Sequence, residues 1–377
     1  MIRSDPEQLI RKTIARFVDK EVIPIAQDID EEGEFPRELF QKIAKMGILA
    51  IRYPKKKGGA GGNTTLFCIA IEELTRGHVG LGAAVAMQCL MGTNFLFRFG
   101  TAEIKEKYFY PAMEGEKIGC ICMTEPEAGT DLGNVSTLAT KAEKGYVING
   151  LKTWVTNAPL ADFYSVLCQT DPAKKFKGLN FFFVPRDTPG VSVSKPFNIL
   201  GTKTNKIAEV AFTDVLVPEE HMLGGEGLGM TNLMTILAEI RAMTAVVAIG
   251  LQRGALDDSL KYARERVAFG RTISKYQLIQ AKIANMATDL EASKLMTYNA
   301  TRMIDNNISC LKEATMAKYF ATEAACRAAD EATRILGAYG YSMEYTAQRY
   351  FRDTRFLLSG GGTHEILQTN IARWVGL

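Results

Sequence analysis

From Glu7 to Val22 the apolar residues Ile10, Ile14, Phe17 and Val18 recur at helical spacing among charged ones, the pattern of one buried helix face. Pro24 closes that run, because proline lacks a backbone donor and clashes with the preceding turn. Residues 35–49 and 65–75 repeat the pattern, and Gly58, Gly59, Gly61 and Gly62 between them predict a loop. The stretch 77–97 is apolar and nearly uncharged, yet Gln88, Asn94 and several glycines suit a buried core helix better than a membrane span. With a charged helix over 102–114, residues 1–118 read as a helical domain.

From Lys117 the period shortens to two, in runs rich in β-branched and aromatic residues. GYVINGLKTWVTN predicts a hairpin turning at Asn149-Gly150. YSVLCQT, LNFFFVP and AEVAFTDVLVP carry the sheet to about Pro218, and strands without intervening helices predict an antiparallel barrel or sandwich over 119–224. After a glycine-rich link the helical period returns, with Ile279, Ile283, Met286 and Leu290 at steps of four, three and four. Residues 225–377 therefore read as a helical bundle, and the fold class is α+β.

Composition removes several functions. With 45 Lys and Arg against 42 Asp and Glu, the net charge is 45 − 42 = +3, too small for a nucleic-acid or acidic-membrane footprint. His78, His221 and His364 are far apart in sequence, so no metal site is expected. The seven cysteines are scattered, with no CxxC pair, and the start MIRSDPEQLIRKT lacks an apolar signal core. Reduced thiols and a cytoplasmic protein without membrane insertion are the expectation.

Neither GxGxxG nor GxxxxGK[ST] occurs, so a nucleotide cofactor would bind without those phosphate loops. Five ordered segments are informative instead: MTEPEAGTD at 123–131, WVTN at 154–157, ERVAFGRTISKYQLIQ at 265–280, ILGAYGYSMEY at 335–345 and GGGTHEILQ at 360–368. In this order and spacing the chain resembles the acyl-CoA dehydrogenase family of flavoenzymes along essentially its whole length. The resemblance implies a homotetramer, a dimer of dimers, with FAD between the β domain and the C-terminal bundle. It assigns Trp154 as an aromatic platform and Thr156 as a hydroxyl donor to the flavin. Met123, Thr124 and Thr130 fall in the flavin-binding strand and loop, Met123 by packing. Arg266 and Phe269 match the family's Arg-x-x-Phe-Gly, whose guanidinium reaches FAD pyrophosphate across a subunit interface. Gln277, Gly337, Thr363 and Glu365 match further cofactor positions. His364, among them, reads as a solvent-facing residue at a variable position.

The reaction the resemblance implies removes the α proton of an acyl-CoA thioester while a β hydride leaves to flavin N5. The thioester oxygen is held by a flavin ribityl hydroxyl and a backbone N–H. The family's usual base is a glutamate before the Gly-Thr of the last motif, and here that residue is Gly361, which keeps its N–H but has no carboxylate. Three explanations are open. Glu239, on the first helix of the C-terminal domain, can supply the base as in an isovaleryl- and long-chain-like branch, although counting back from Arg241 puts that branch's glutamate at Ile240. The helix capping the acyl pocket can supply it, as in an alicyclic-substrate branch, but residues 84–92 offer only Gln88 and Cys89. Or α-proton abstraction is lost. Thr130, Gln88, Arg241, Gly361 and Gly362 are expected to meet substrate, and the glycines favour a branched or cyclic acyl group. An electron-transfer flavoprotein is the expected electron acceptor. The rival reading is a non-catalytic or regulatory flavin and acyl-CoA binder.

Overall fold

The computed structural model describes residues 5–377. The N-terminal helices are α1 (Pro6–Phe17), α2 (Ala26–Glu32), α3 (Arg37–Lys45), α4 (Thr64–Gly77), α5 (Val79–Met87), α6 (Thr93–Phe99), α7 (Ala102–Ile104) and α8 (Tyr110–Met113). Asp5 caps α1 through the Glu7 N–H with proline at its first position, and Asn63 caps α4 through the Leu66 N–H. The apolar run at 77–97 becomes α5 and α6, joined by a π turn at Gln88–Gly92. By length and composition Val79–Phe99 could cross a membrane, as could Gly229–Glu265, yet most of each is buried in the protein.

One sheet follows: β1 (Gly119–Cys122), β2 (Leu138–Ala142), β3 (Gly145–Thr156), β4 (Phe163–Gln169), β5 (Leu179–Pro185), β6 (Val191–Val193), β7 (Ile207–Val217) and β8 (Met222–Leu223). Its order is β6-β7-β3-β2-β4-β5-β8, with β1 on β4. The sheet is mixed rather than antiparallel, because β1 and β2 both run parallel to β4. The three phenylalanines of LNFFFVP divide by strand period: Phe182 packs with Tyr146, Val166 and Phe212, whereas Phe181 and Phe183 join the helical core. Burial on both faces is why that strand reads as a continuous apolar run.

The expected hairpin at Asn149-Gly150 is not there. β3 runs through both residues, and the turn lies at 143–144, where Ala142 pairs with Gly145. Asn149 instead bonds Asp214 of β7 through side chain and backbone. Glycine is needed next to it because a Cβ at Gly150 would stand 2.5 Å from the Thr137 hydroxyl.

The C-terminal part holds α9 (Gly229–Glu265), a small hairpin of β9 (Val267–Ala268) and β10 (Arg271–Thr272), α10 (Gln277–Asp305), α11 (Leu311–Leu336), α12 (Thr346–Asp353) and α13 (His364–Trp374). At Gly250 a Cβ would stand 2.5 Å from the Glu72 carbonyl, so α9 and α4 meet backbone to backbone. Beside that crossing the buried Glu72 and Glu73 are paired with Arg11 and Arg253.

The segment after β1 is fastened from beneath. Lys152 of β3, fully buried, donates to the Met123 carbonyl at 3.1 Å and to Glu125 at 2.8 Å. Glu125 also accepts from the backbone of Ser136 and Thr137. Burial works to raise the Glu125 pKa, but Lys152 and these donors outweigh it and hold the carboxyl at about 2. Because the folded-state pKa lies below the unfolded one, this stabilisation is complete above about pH 4.5 and disappears as pH falls toward 2. Glu125→Gln, which strands Lys152, is expected to lower stability at pH 7 by ~3–5 kcal/mol. In urea unfolding at pH 7 and pH 3 the gap to the native protein should narrow at the lower pH; an equal gap at both would show that the ion pair is not its source.

Candidate active site

Three consecutive residues of α9, about 100° apart around the helix, point to three partners. Glu239 is buried, and its carboxylate accepts from Arg52, from Arg98 at 2.7 Å and from Asn94 at 3.0 Å, all in the N-terminal helices and the loop after α3. The next residue faces the glycine loop between α12 and α13: a Cβ on Gly361 would stand 3.6 Å from Ile240 Cγ2 and 3.1 Å from Thr244 Oγ1. Both oxygens of Glu239, the proton acceptor expected from the sequence, are engaged, and the one-residue offset turns it toward the arginines, where it ties two helical regions together. Nor does Arg241 pair with it.

Arg241 is buried and donates through Nη1 to Thr315 Oγ1 at 2.6 Å, while its Nε has no partner. A Cβ at Gly362 would lie 3.8 Å from Nη2. Burial lowers its pKa to about 10. Lys318 of α11, also fully buried, donates to the Gly362 carbonyl at 2.8 Å. Burial and then the Arg241 charge bring the Lys318 pKa down to about 8. Neither cation belongs to any salt bridge among the described residues. Two buried cations outside any salt bridge thus meet the glycine loop.

Gln88 does a different job from the one expected. Its amide donates to the carbonyls of Ala112 and Lys117, and its oxygen accepts from Gly119 N–H, so it closes the junction between α8 and β1. Cys89 is buried, its thiol points at the Leu49 carbonyl, and burial pushes its pKa up to about 12, so it is no base. Thr130 is exposed in the loop after β1.

The flavin set lies in two places. At the end of β3, a register shift between Lys152 and Val155 turns Trp154 outward with φ +56°, the residue 59% exposed and its ring centre 5.0 Å from that of Phe197. Thr156 is half-buried two residues on, and the Thr153 N–H donates to the Thr124 carbonyl at 2.9 Å, which brings the 123–131 segment alongside. The exposed Trp154, with Thr156 two residues on, fits the ring system of a flavin. Arg266 directly follows α9 with its guanidinium 5.7 Å from the centre of the Tyr339 ring, just past Gly337. Phe269 stands 98% exposed at the tip of the β9–β10 turn, and Gln277 opens α10. Thr363 precedes α13, and Glu365 lies in its first turn.

Sequence reasoning missed the fastening residues. His364 is buried, not solvent-facing: Nδ1 lies 2.7 Å from Glu323 Oε1 and Nε2 2.8 Å from Thr322 Oγ1. Arg52, Arg98, Lys152 and Lys318 look like ordinary surface charges in the sequence. Their partners are remote, as in the 187-residue separation of Arg52 and Glu239, so no local signal could have found them.

Comparison with known proteins agrees with this geometry. Models of the acyl-CoA dehydrogenase N-terminal, middle and C-terminal domains match residues 4–116, 120–215 and 227–376. The chain is 46% identical to benzylmalonyl-CoA dehydrogenase of Aromatoleum aromaticum, covering 99% of this chain and 98% of that protein. It is 37% identical to a subunit of the caffeyl-CoA reductase–Etf complex of Acetobacterium woodii, covering 99% and 98%. Among solved structures, butyryl-CoA dehydrogenase from Megasphaera elsdenii superposes with a TM-score of 0.95 at 33% identity, over 100% of this chain and 99% of that one. The chain belongs to the acyl-CoA dehydrogenase family, oxidoreductases of acyl-CoA thioesters whose cofactor is FAD.

Proposed function

We propose that this protein oxidises a 2-substituted malonyl thioester of CoA with a bulky, aryl-type substituent, and that departure of the α-carboxylate as CO2 replaces proton abstraction by a base. The observation that carries this reading is the pair of buried cations, Arg241 and Lys318, that form no salt bridge among the described residues and stand beside Gly361 and Gly362. A substrate carboxylate supplies the missing counter-charge, and the guanidinium fork suits it. The relative named for benzylmalonyl-CoA supports the class, because any malonyl thioester carries a carboxylate on its α carbon. The glycine loop leaves room for the branch.

The electron count closes without a base. Breaking the bond from Cα to the carboxylate leaves its electron pair on Cα, and that pair forms the Cα–Cβ double bond as the β hydride departs. R–CH2–CH(COO−)–CO–S– becomes R–CH=CH–CO–S– plus CO2 plus hydride. FAD, when bound, supplies the hydride acceptor. The Gly361 N–H donates to the thioester oxygen, where negative charge accumulates as CO2 leaves.

Trp154, Thr156, Thr124, Thr130 and Met123 hold the flavin end of the cofactor, and Thr363 and Glu365 flank it. Arg266, Phe269, Gln277 and Gly337 serve a neighbouring subunit's FAD. Twenty-five residues of α9 separate Arg241 from Arg266, a span of ~37 Å, so the Arg266 hairpin lies at the far end of the helix from its own glycine loop. A homotetramer, the usual assembly of the family, brings the two sets together. A cytoplasmic location and an electron-transfer flavoprotein as acceptor complete the reading; the Acetobacterium relative belongs to an Etf complex. A second reading, ordinary α,β-dehydrogenation or its reverse with Lys318 as the proton carrier, draws on that amine's lowered pKa of about 8.

The readings separate in one anaerobic experiment. Benzylmalonyl-CoA and its decarboxylated counterpart, 3-phenylpropionyl-CoA, are each mixed with the flavoprotein. Bleaching by the first with one CO2 per flavin is expected; bleaching by the second at a comparable rate would favour Lys318 as the base. Arg241→Gln should slow reduction by the carboxylated substrate at limiting concentration by roughly 10- to 150-fold, the range of ~1.5–3 kcal/mol for a charged hydrogen bond. Glu239→Gln should slow reduction at saturation by less than about tenfold, ~1.4 kcal/mol, and a greater loss would restore Glu239 as the base. Arg266→Ala should weaken FAD binding by the same ~1.5–3 kcal/mol and loosen the tetramer as flavin is lost. Sedimentation of FAD-replete and stripped protein checks the linkage, and a stable flavin-replete monomer would contradict it.

A further inference from the structure

We propose that His364 is a positioning residue: it fastens the first turn of α13 to α11 and so holds the Gly361 N–H in place to receive the thioester oxygen. The proposal rests on the reading above only for the task given to that N–H; the fastening is independent of which acyl group binds.

The loop has little of its own to fix it. Residues 360, 361 and 362 are all glycine, and φ is +74° at Gly361 and +109° at Gly362, a region open mainly to glycine. Three glycines without side chains lose more entropy on ordering than any other tripeptide, so external contacts have to hold them. Those contacts come from one face of α11. Lys318 donates to the Gly362 carbonyl, and one turn later Thr322 and Glu323 take the two nitrogens of His364. The imidazole also meets the Tyr319 ring edge-on at 5.3 Å, and the Tyr319 hydroxyl accepts from Gln368 one turn along α13.

A carboxylate only accepts, so the imidazole carries a proton on Nδ1, toward Glu323. Nε2 lies 2.8 Å from the Thr322 hydroxyl, whose oxygen is also 2.8 Å from the Lys318 carbonyl. Burial, then the charge of Lys318, lowers the His364 pKa. Contacts at both ring nitrogens to neighbouring residues of α11 fix the position and the rotation of the ring.

The experiment uses the FAD-containing enzyme and two readouts. Amide hydrogen exchange of peptides covering 359–366 reports the loop without substrate, and single-turnover flavin reduction by whichever thioester bleaches the flavin reports the N–H. His364→Ala should speed exchange at least tenfold and slow reduction at saturation at least tenfold, with KM changed less than threefold. His364→Gln, whose amide offers one donor and one acceptor, should bring both within threefold of the native enzyme. If His364→Ala does not fold, Glu323→Ala removes one side of the clasp and should shift both readouts in the same direction. A folded His364→Ala protein with native exchange or a native saturated rate, even with a lowered Tm, overturns the proposal. Failure of the malonyl assay would leave the exchange result standing, so the two readings fail separately.

Discussion

The structure depends on the angular constraint of one helix. α9 is 37 residues long, and each step around it is about 100°, so a side chain's destination is fixed by its place in the sequence to within one residue. Glu239 reaches the arginines of the N-terminal helical region, Ile240 reaches the glycine loop, and Arg241 reaches Thr315 of α11. Gly250 lets the same helix touch the α4 backbone, and its last turn delivers Arg266 to Tyr339. A shift of one residue would exchange an anchor for a packing residue and move the buried guanidinium away from the loop.

That geometry separates two groups of cations with opposite character. Arg52 and the more exposed Arg98 both pair with the buried Glu239, so the desolvation of Arg52 and of the carboxylate is offset inside the fold. Arg241 and Lys318 form no salt bridge among the described residues, and their lowered pKa values record a cost of burial that the nearby Glu323 and Glu365 do not offset at Lys318. An uncompensated buried charge destabilises a fold by several kcal/mol, which is why the second group is read as a ligand site and the first as framework.

The order of helices, strands and helices was legible because it rests on local periodicity: the α1 stripe, the β5 apolar run and the α10 spacing each report their own burial. The family was legible for another reason, since Trp154, Arg266 and Phe269 stand in short contiguous motifs. What could not be read is whatever depends on a distant partner. Asn149-Gly150 has the composition of a hairpin turn, but Asp214 and Thr137 claim it for the middle of a strand. Gln88 looks like the polar residue of an acyl pocket, yet three main-chain groups consume its amide. The direction of Glu239 was hinted at by its offset from Ile240, but only the remote Arg52 and Arg98 settle what that offset is for.

The backbone of the glycine loop restricts what it could carry. With φ at +74°, Gly361 occupies backbone space that residues with a Cβ rarely enter, and a Cβ there would press to 3.1 Å from the Thr244 hydroxyl. A glutamate placed on this loop would have to change the backbone before it could reach an α carbon, and the clasp of Lys318 and His364 on α11 opposes that change. The loop thus offers main-chain groups alone, with no side chain to act as acid or base, and the titratable groups that meet it, Arg241 and Lys318, stand on α9 and α11.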